Sequence, residues 1–289
     1  MPVLIFGANG QDGYYLSRLC EREGHEVIGV SRSTGPVMGD VTDRGFVEGL
    51  IKRHQPDFVF HLAARSTTRH EAAFENHATI GTGSLNILES VKLHSPETRV
   101  FLAGSGLQFV NQGSPISEED PFDVQSPYAA ARIYSTYLAR YYRNFGVRTY
   151  FGYLFHHESP HRKPGHLSRT IADAAKRAGS GERFQLEIGD IGVEKEWTFA
   201  GDTVAAMWTL ATQDRVHEAN LGTGIAHSVE EWARACFEVV GLNWRDFLTE
   251  ASGFHPEYSR MVANPSRILS LGWKPTVNLQ ALARLMVTE

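Results

Sequence analysis

The chain is poor in the features that would assign it to a specialised class. Only Cys20 and Cys236 occur among 289 residues, both in stretches of helical spacing. Two cysteines cannot staple a disulfide framework, so they read as reduced, buried thiols, and a cytoplasmic location is expected. No apolar run approaches the roughly 20 residues that cross a bilayer, so no membrane partner is expected. The opening Val3-Leu4-Ile5-Phe6 runs straight into glycine. It reads as a first strand, with no charged leader or cleavage site before it. A formal charge of -5 and the lack of any lysine/arginine cluster argue against a nucleic-acid partner. The 13 histidines show no metal-ligand arrangement: His156 and His157 are adjacent and point different ways, and His161 lies in a proline-rich turn. No metal is expected. Internal repeats, low-complexity tracts and long linkers are also missing.

What remains is an ordinary globular composition, 42% hydrophobic and 21% charged. Short apolar runs at 3–6, 26–30, 57–60, 99–102 and 148–154 read as strands, and 14–23, 44–54, 79–94 and 128–145 between them have helical spacing. Alternation of nearly all-apolar strands with helices predicts a parallel sheet covered on both faces. Beyond about residue 155 the rhythm changes. A His/Pro/Arg/Gly-rich stretch over 156–181 turns helical, a short strand follows near 184–188, then helices over 202–212 and 228–240, then a polar tail. The expectation is an α/β fold: a Rossmann-type doubly wound parallel sheet with a smaller C-terminal α/β substrate lobe. Residues 1–155 form the dinucleotide-binding domain. Residues 156–289 form mainly the substrate-binding lobe, with some segments returning to the core.

Gly7-Ala8-Asn9-Gly10-Gln11-Asp12-Gly13 follows the first strand and opens the first helix. Glycines there permit a tight turn and close backbone approach, so the helix N-terminus can face a pyrophosphate. At the end of the second strand an NAD enzyme usually places a carboxylate for the ribose 2′-hydroxyl. This chain reads Val30-Ser31-Arg32-Ser33-Thr34 instead, a cation flanked by hydroxyls that suits a 2′-phosphate. NADP is therefore favoured over NAD. Asp40, in the turn Gly39–Asp43, is placed to accept from an adenine amine.

The extended signature Gly10-Gln11-Asp12-Gly13-Tyr14-Tyr15-Leu16 resembles that of GDP-mannose 4,6-dehydratases, within the extended short-chain dehydrogenases. The likeness continues through Gln55-Pro56-Asp57, His61-Leu62-Ala63-Ala64-Arg65-Ser66, Ser126-Pro127-Tyr128-Ala129-Ala130 and Leu154-Phe155-His156-His157-Glu158-Ser159-Pro160. It reaches Leu271-Gly272-Trp273-Lys274-Pro275 and so covers essentially the whole chain. GDP-4-keto-6-deoxymannose reductases share the scaffold. The resemblance implies that Gly7, Gly10, Gln11, Asp12 and Gly13 cradle the pyrophosphate. It implies that Arg32 and Ser33 hold the 2′-phosphate, that Asp40 and Val41 bracket the adenine, and that Leu62, Ala63, Ala64 and Ser66 run along the nicotinamide half. His157 and Arg162 match positions near the nicotinamide and a neighbouring subunit. Substrate contacts are implied for Ser105, Gly106, Leu107, His156, Glu158, Arg169, Lys195, His255 and Arg260. Pairing through 128–145 and 79–94 is also implied, as a homodimer, or a homotetramer if Arg32–Thr34 and Arg162 meet across subunits.

In that superfamily a hydroxyl residue, a tyrosine and a lysine four residues later perform the redox step. Tyrosine and cation at i and i+4 share a helix face. The tyrosine shuttles a proton while hydride moves, and the cation favours its phenolate. Here Ser105, Tyr128 and Arg132 occupy those places. Arginine keeps the charge but is planar, bulkier and permanently protonated, so the exchange is not conservative. The dehydratases carry a glutamate as base where this chain has Leu107, and leucine moves no proton. Gln108 beside it has no useful basicity, and Glu118 or Glu119 would need an unusual path. Lys195-Glu196-Trp197 and His255-Pro256-Glu257 depart from the family's Arg-Asp-Trp and Arg-Pro-Glu, which weakens a guanine assignment. Three readings stay open: an NADP(H)-dependent reductase (or redox epimerase) of a GDP-linked keto-deoxy sugar, a GDP-mannose 4,6-dehydratase with an atypical base, and an NADP-binding protein of impaired catalysis in a scaffolding or regulatory role.

Overall fold

The computed structural model describes residues 1–289. Seven parallel strands form the central sheet: β1 Pro2–Phe6, β2 Glu26–Ser31, β3 Val37–Met38, β4 Phe58–His61, β5 Arg99–Ala103, β6 Arg148–Leu154 and β7 Glu218–Leu221. Their spatial order is β7-β6-β5-β4-β1-β2-β3, so the winding reverses between β1 and β4. A crevice outside the carboxyl ends of the strands is expected at such a reversal.

The long helices are α1 Gln11–Arg22, α2 Arg44–His54, α3 Gly83–His94, α4 Pro127–Arg143, α5 Leu167–Gly179, α6 Ala200–Ala211, α7 Val229–Val239 and α8 Leu279–Thr288. Strand side chains alternate between faces. Leu4, Phe6, Val59, Val100 and Leu102 pack with Val47, Leu50, Ile87 and Val91 of α2 and α3. Val3, Ile5, Phe60 and Phe101 pack with Leu16 of α1 and Val204, Met207 and Leu210 of α6. Both faces are covered, which is why the strands read as near-continuous apolar runs. A separate core of 20 buried residues joins α5, α7 and α8 with Ile188, Trp197 and Leu248. Of the C-terminal half, α6 and β7 belong to the main sheet, and α5, α7 and α8 to this smaller lobe.

Four points differ from expectation. The polar tail contains α8, with Leu279, Leu282, Ala283, Met286 and Val287 buried. That spacing is one face of a helix; the polar, Gly/Pro-rich stretch over 241–278 ahead of it gives the end of the chain its polar look. β7 was not expected, being a four-residue edge strand between two loops. The strand near 184–188 is Leu186–Ile188; it pairs with Leu248–Glu250, away from the main sheet. The helix expected over 79–94 opens as a π-helical turn, His77–Thr82, before α3.

Candidate active site

One cleft follows the carboxyl ends of the strands as a series of connected chambers. The first, about 190 Å³, is lined by Arg32, Ser33, Asp40, Val41, Ala63 and Ala64 among others. It shares Gly7, Gly10 and Leu62 with a second of about 490 Å³, to which Gln11, Asp12, Gly13, Ser66 and Arg162 belong. Asp12, Leu62, Ser66 and Arg162 also line a third, about 300 Å³, with Ser105, Leu107, Tyr128, Arg132, His156 and His157. Leu107, Tyr258 and Met261 connect this to a fourth of about 200 Å³.

The glycines set the floor of the second chamber. Gly7 has φ +92°, and a Cβ there would sit 2.7 Å from Ala63 N. A Cβ on Gly13 would sit 2.4 Å from Gly7 O. Side chains at either place would push strand, turn and helix apart. Gly10 caps α1 without a side chain, leaving the helix N-terminus open on the chamber. These features fit a dinucleotide pyrophosphate.

Gln11 and Asp12 fall in the first turn of α1, where their side chains reach the His157–Ser159 segment. His157 Nε2 lies 2.9 Å from Asp12 Oδ1, and its Nδ1 lies 2.7 Å from Phe155 O. Ser159 Oγ donates to Gln11 Oε1 at 2.8 Å. Burial pulls the His157 pKa down, but the Asp12 charge and hydrogen bond outweigh it, and the net shift is upward. Burial works against the Asp12 carboxylate too, yet His157 brings its pKa below the ordinary value. The clip is an ion pair that fastens the helix of the glycine turn to the strand behind the third chamber.

The three residues expected to serve the redox step are placed by local signals. Ser126 Oγ accepts from Ala129 N at 3.1 Å, and Pro127 opens α4, so Tyr128 stands in the first turn. Tyr128 is almost buried beside Ile80 and Ala131. The Arg132 guanidinium carbon lies 5.1 Å from the Tyr128 ring centroid, and Nη1 donates to Ala103 O. Its Nε is buried without a partner. Ser105 follows β5, and its backbone N donates to Gln108 Oε1 at 2.8 Å. Gln108 Nε2 donates in turn to Thr136 Oγ1 at 2.9 Å, so this fully buried amide holds the Ser105 turn against α4. Leu107 stands on the wall of the Ser105 chamber. Glu118 accepts from Asn220 N at 2.7 Å, and Glu119 pairs with Arg267, so both are committed elsewhere.

Other expected substrate residues do not line these chambers. Glu158 is fully buried, accepting from Arg162 Nε at 2.7 Å, with His156 Nε2 at 2.9 Å from its other oxygen. Arg162 is thus engaged within its own chain. Burial, with the nearby charges of Lys195 and Arg162, drives the His156 pKa well down and keeps the imidazole neutral. Lys195 is buried against Trp197, and burial brings its pKa down to about 8. Gly106 packs against Phe155, where a Cβ would come within 2.9 Å. Arg169 pairs with Asp173 at 2.8 Å, Arg260 pairs with Glu194 at 2.9 Å, and His255 is exposed. Arg65 and Glu75 line the second chamber without having been singled out as site residues. Arg65 belongs to the His61–Ser66 motif, whereas Glu75 carries no local signal.

Comparison with known proteins agrees with this geometry. The family model described as GDP-mannose 4,6 dehydratase matches residues 4–286. "GDP-mannose 4,6 dehydratase 2" of Arabidopsis thaliana is 31% identical over 99% of this chain and 86% of that protein. "GDP-mannose 4,6-dehydratase" of Sinorhizobium fredii is 31% identical over 83% of this chain and 76% of that protein. Among solved structures, RMD from Pseudomonas aeruginosa complexed with NADPH superposes with a TM-score of 0.87 at 20% identity, covering 99% of this chain and 97% of that one. UDP-glucose 4-epimerase of Thermus thermophilus with NAD gives 0.83 at 24%, covering 99% and 98%. The fold is that of the short-chain epimerases and dehydratases, and the chain belongs to the GDP-mannose 4,6-dehydratase family of nucleotide-sugar enzymes.

Proposed function

We propose that this enzyme is an NADP(H)-dependent reductase of the 4-ketone of a GDP-linked 6-deoxyhexose. The observation that carries the reading is Leu107, which stands in the Ser105–Tyr128–Arg132 chamber where a dehydratase needs a base. The one carboxylate lining that chamber is Asp12, and it is committed to His157. Expelling the C6 hydroxyl requires removal of the C5 proton, and lack of a placed base forfeits a factor on the order of 10²–10⁴. Reduction of an existing ketone needs no such base.

The cofactor would lie with its pyrophosphate over Gly7 and Gly10–Gly13, its 2′-phosphate near Arg32 and Ser33, and its adenine by Asp40 and Val41. When bound, it supplies a hydride for C4. Tyr128 delivers its hydroxyl proton to O4, so ketone, hydride and proton balance to the alcohol. Ser105 Oγ orients the carbonyl oxygen, and Arg132 holds positive charge against the Tyr128 ring. The substrate would reach this chamber past Tyr258 and Met261, which open it to the fourth. Supporting the nucleotide class are the relatives, whose names specify GDP-mannose.

The relatives' names favour a second reading, dehydration of GDP-mannose itself. It would draw its base from Glu257, which lines the fourth chamber with Leu107 and accepts from Thr68 Oγ1 at 2.6 Å. Loss of nicotinamide absorbance on mixing enzyme, NADPH and GDP-4-keto-6-deoxymannose tests the first reading. Turnover dependent on Tyr128 supports it. No oxidation of NADPH by the folded protein contradicts it.

A further inference from the structure

The second chamber holds an acid between two arginines. Glu75 lies on the short helix Ala73–Asn76, anchored where Asn76 Nδ2 donates to Thr67 O at 3.1 Å. Arg32 Nη2 donates to Glu75 Oε1 at 3.1 Å, and Arg65 Nη1 donates to Glu75 Oε2 at 2.8 Å. All three side chains line the chamber into which the N-terminus of α1 opens. Arg32 comes from the end of β2 and Arg65 from the loop after β4, so both arginines converge on an acid carried by a helix. Their hydrogen bonds hold the Glu75 carboxyl below its usual range, which keeps it ionised at neutral pH.

A carboxylate across two guanidinium groups meets the same demand as a phosphate: paired acceptor oxygens and negative charge. The arginine side chains are 57% and 60% exposed, so neither contact is locked by burial. Such pairs are weak and exchange readily.

We propose that Glu75 sets cofactor discrimination: its carboxylate occupies Arg32 and Arg65 in competition with a cofactor 2′-phosphate and must release them when that phosphate binds. The inference rests on the reading of Arg32 as a phosphate ligand. A 2′-hydroxyl brings no charge and makes no such demand, so Glu75 disfavours the phosphorylated cofactor alone. Preference for NADP(H) is then smaller than Arg32 by itself would give. The restraint weakens with salt, because the pairs are exposed.

The test is direct binding of NADPH and of NADH, without substrate, by calorimetry. It compares the natural protein with Glu75→Gln and Arg32→Ala, all checked for unchanged melting and circular dichroism. Glu75→Gln is expected to tighten NADPH about three- to tenfold at low salt, as removal of one or two exposed pairs allows. NADH should move less than about twofold, and the NADPH gain should shrink at higher ionic strength. Arg32→Ala should weaken NADPH. If Arg32→Ala leaves NADPH binding unchanged, the phosphate reading itself fails, and this inference with it. If Arg32→Ala weakens binding but Glu75→Gln leaves NADPH unchanged, weakens it, or tightens both cofactors equally, the Glu75 inference alone is overturned.

Discussion

The Asp12–His157 clip makes a prediction whose sign and size follow from its surroundings. Replacing Asp12 by Asn keeps the shape and one acceptor oxygen but removes the charge opposite His157. The two side chains are 20% and 11% exposed, so solvent screens the pair little. A charge-assisted hydrogen bond contributes about 1.5–3 kcal/mol. With an unfolding entropy of about 2.1 cal/mol/K per residue, a chain of 289 residues loses roughly 1.6 °C of Tm per kcal/mol. Asp12→Asn should therefore melt about 2.5–5 °C lower near pH 6. His157 is raised above 6.5, so its contribution is full below that value and is lost as pH rises through the raised pKa. Asp12 is lowered below 3.8, so its contribution is full above 3.8 and is lost as pH falls through the depressed pKa. Both act together from about pH 4 to 6.5, and the difference between the two proteins should shrink above that window. Differential scanning fluorimetry at pH 6 and pH 9 checks this. An equal difference at both values, or none at pH 6, would refute the reasoning.

Three further outcomes are expected. Leu282→Ala empties a fully buried position of α8 and should cost about 2–5 kcal/mol, read from denaturant midpoints, whereas a peripheral tail would register almost nothing. Tyr134, Tyr137 and Tyr141 stand exposed along α4. Light scattering at micromolar concentration should report at least a dimer, and Tyr137→Arg with Tyr141→Arg should shift it toward monomer; a monomeric natural protein contradicts the pairing. Arg132→Lys should retain or raise the rate of ketone reduction. Inactivity of both forms toward the ketone, with cofactor still bound, would favour a non-catalytic role.

Much of the central sheet could be read from the sequence because parallel strands buried on both faces are runs of Val, Ile, Leu and Phe with helices between them. The glycine turn and the Tyr128–Arg132 spacing are local patterns, and each leads to the cleft. What escaped was mostly relational. Glu75 lies 43 residues from Arg32, and nothing in its own neighbourhood distinguishes it from a solvated helix residue. The Gln-Asp-Gly and His-Glu-Ser-Pro elements were each visible, but their contact across 145 residues exists only in the folded sheet. Lys195 shows the same limit, since its burial depends on Trp197 and on the cluster around Glu158. α8 is different: its apolar positions have helical spacing, and the polar, Gly/Pro-rich stretch over 241–278 ahead of it made the end of the chain read as one tail.

Incubating the natural protein with GDP-mannose and NADP⁺ and resolving the products by NMR tests the central claim most directly, with Leu107→Glu assayed in parallel. The account predicts unchanged GDP-mannose for the natural protein and, where the pocket accepts the charge, some 4-keto-6-deoxy product for Leu107→Glu. Efficient formation of that product by the natural protein would contradict the reductase assignment and return the chain to the activity its relatives are named for.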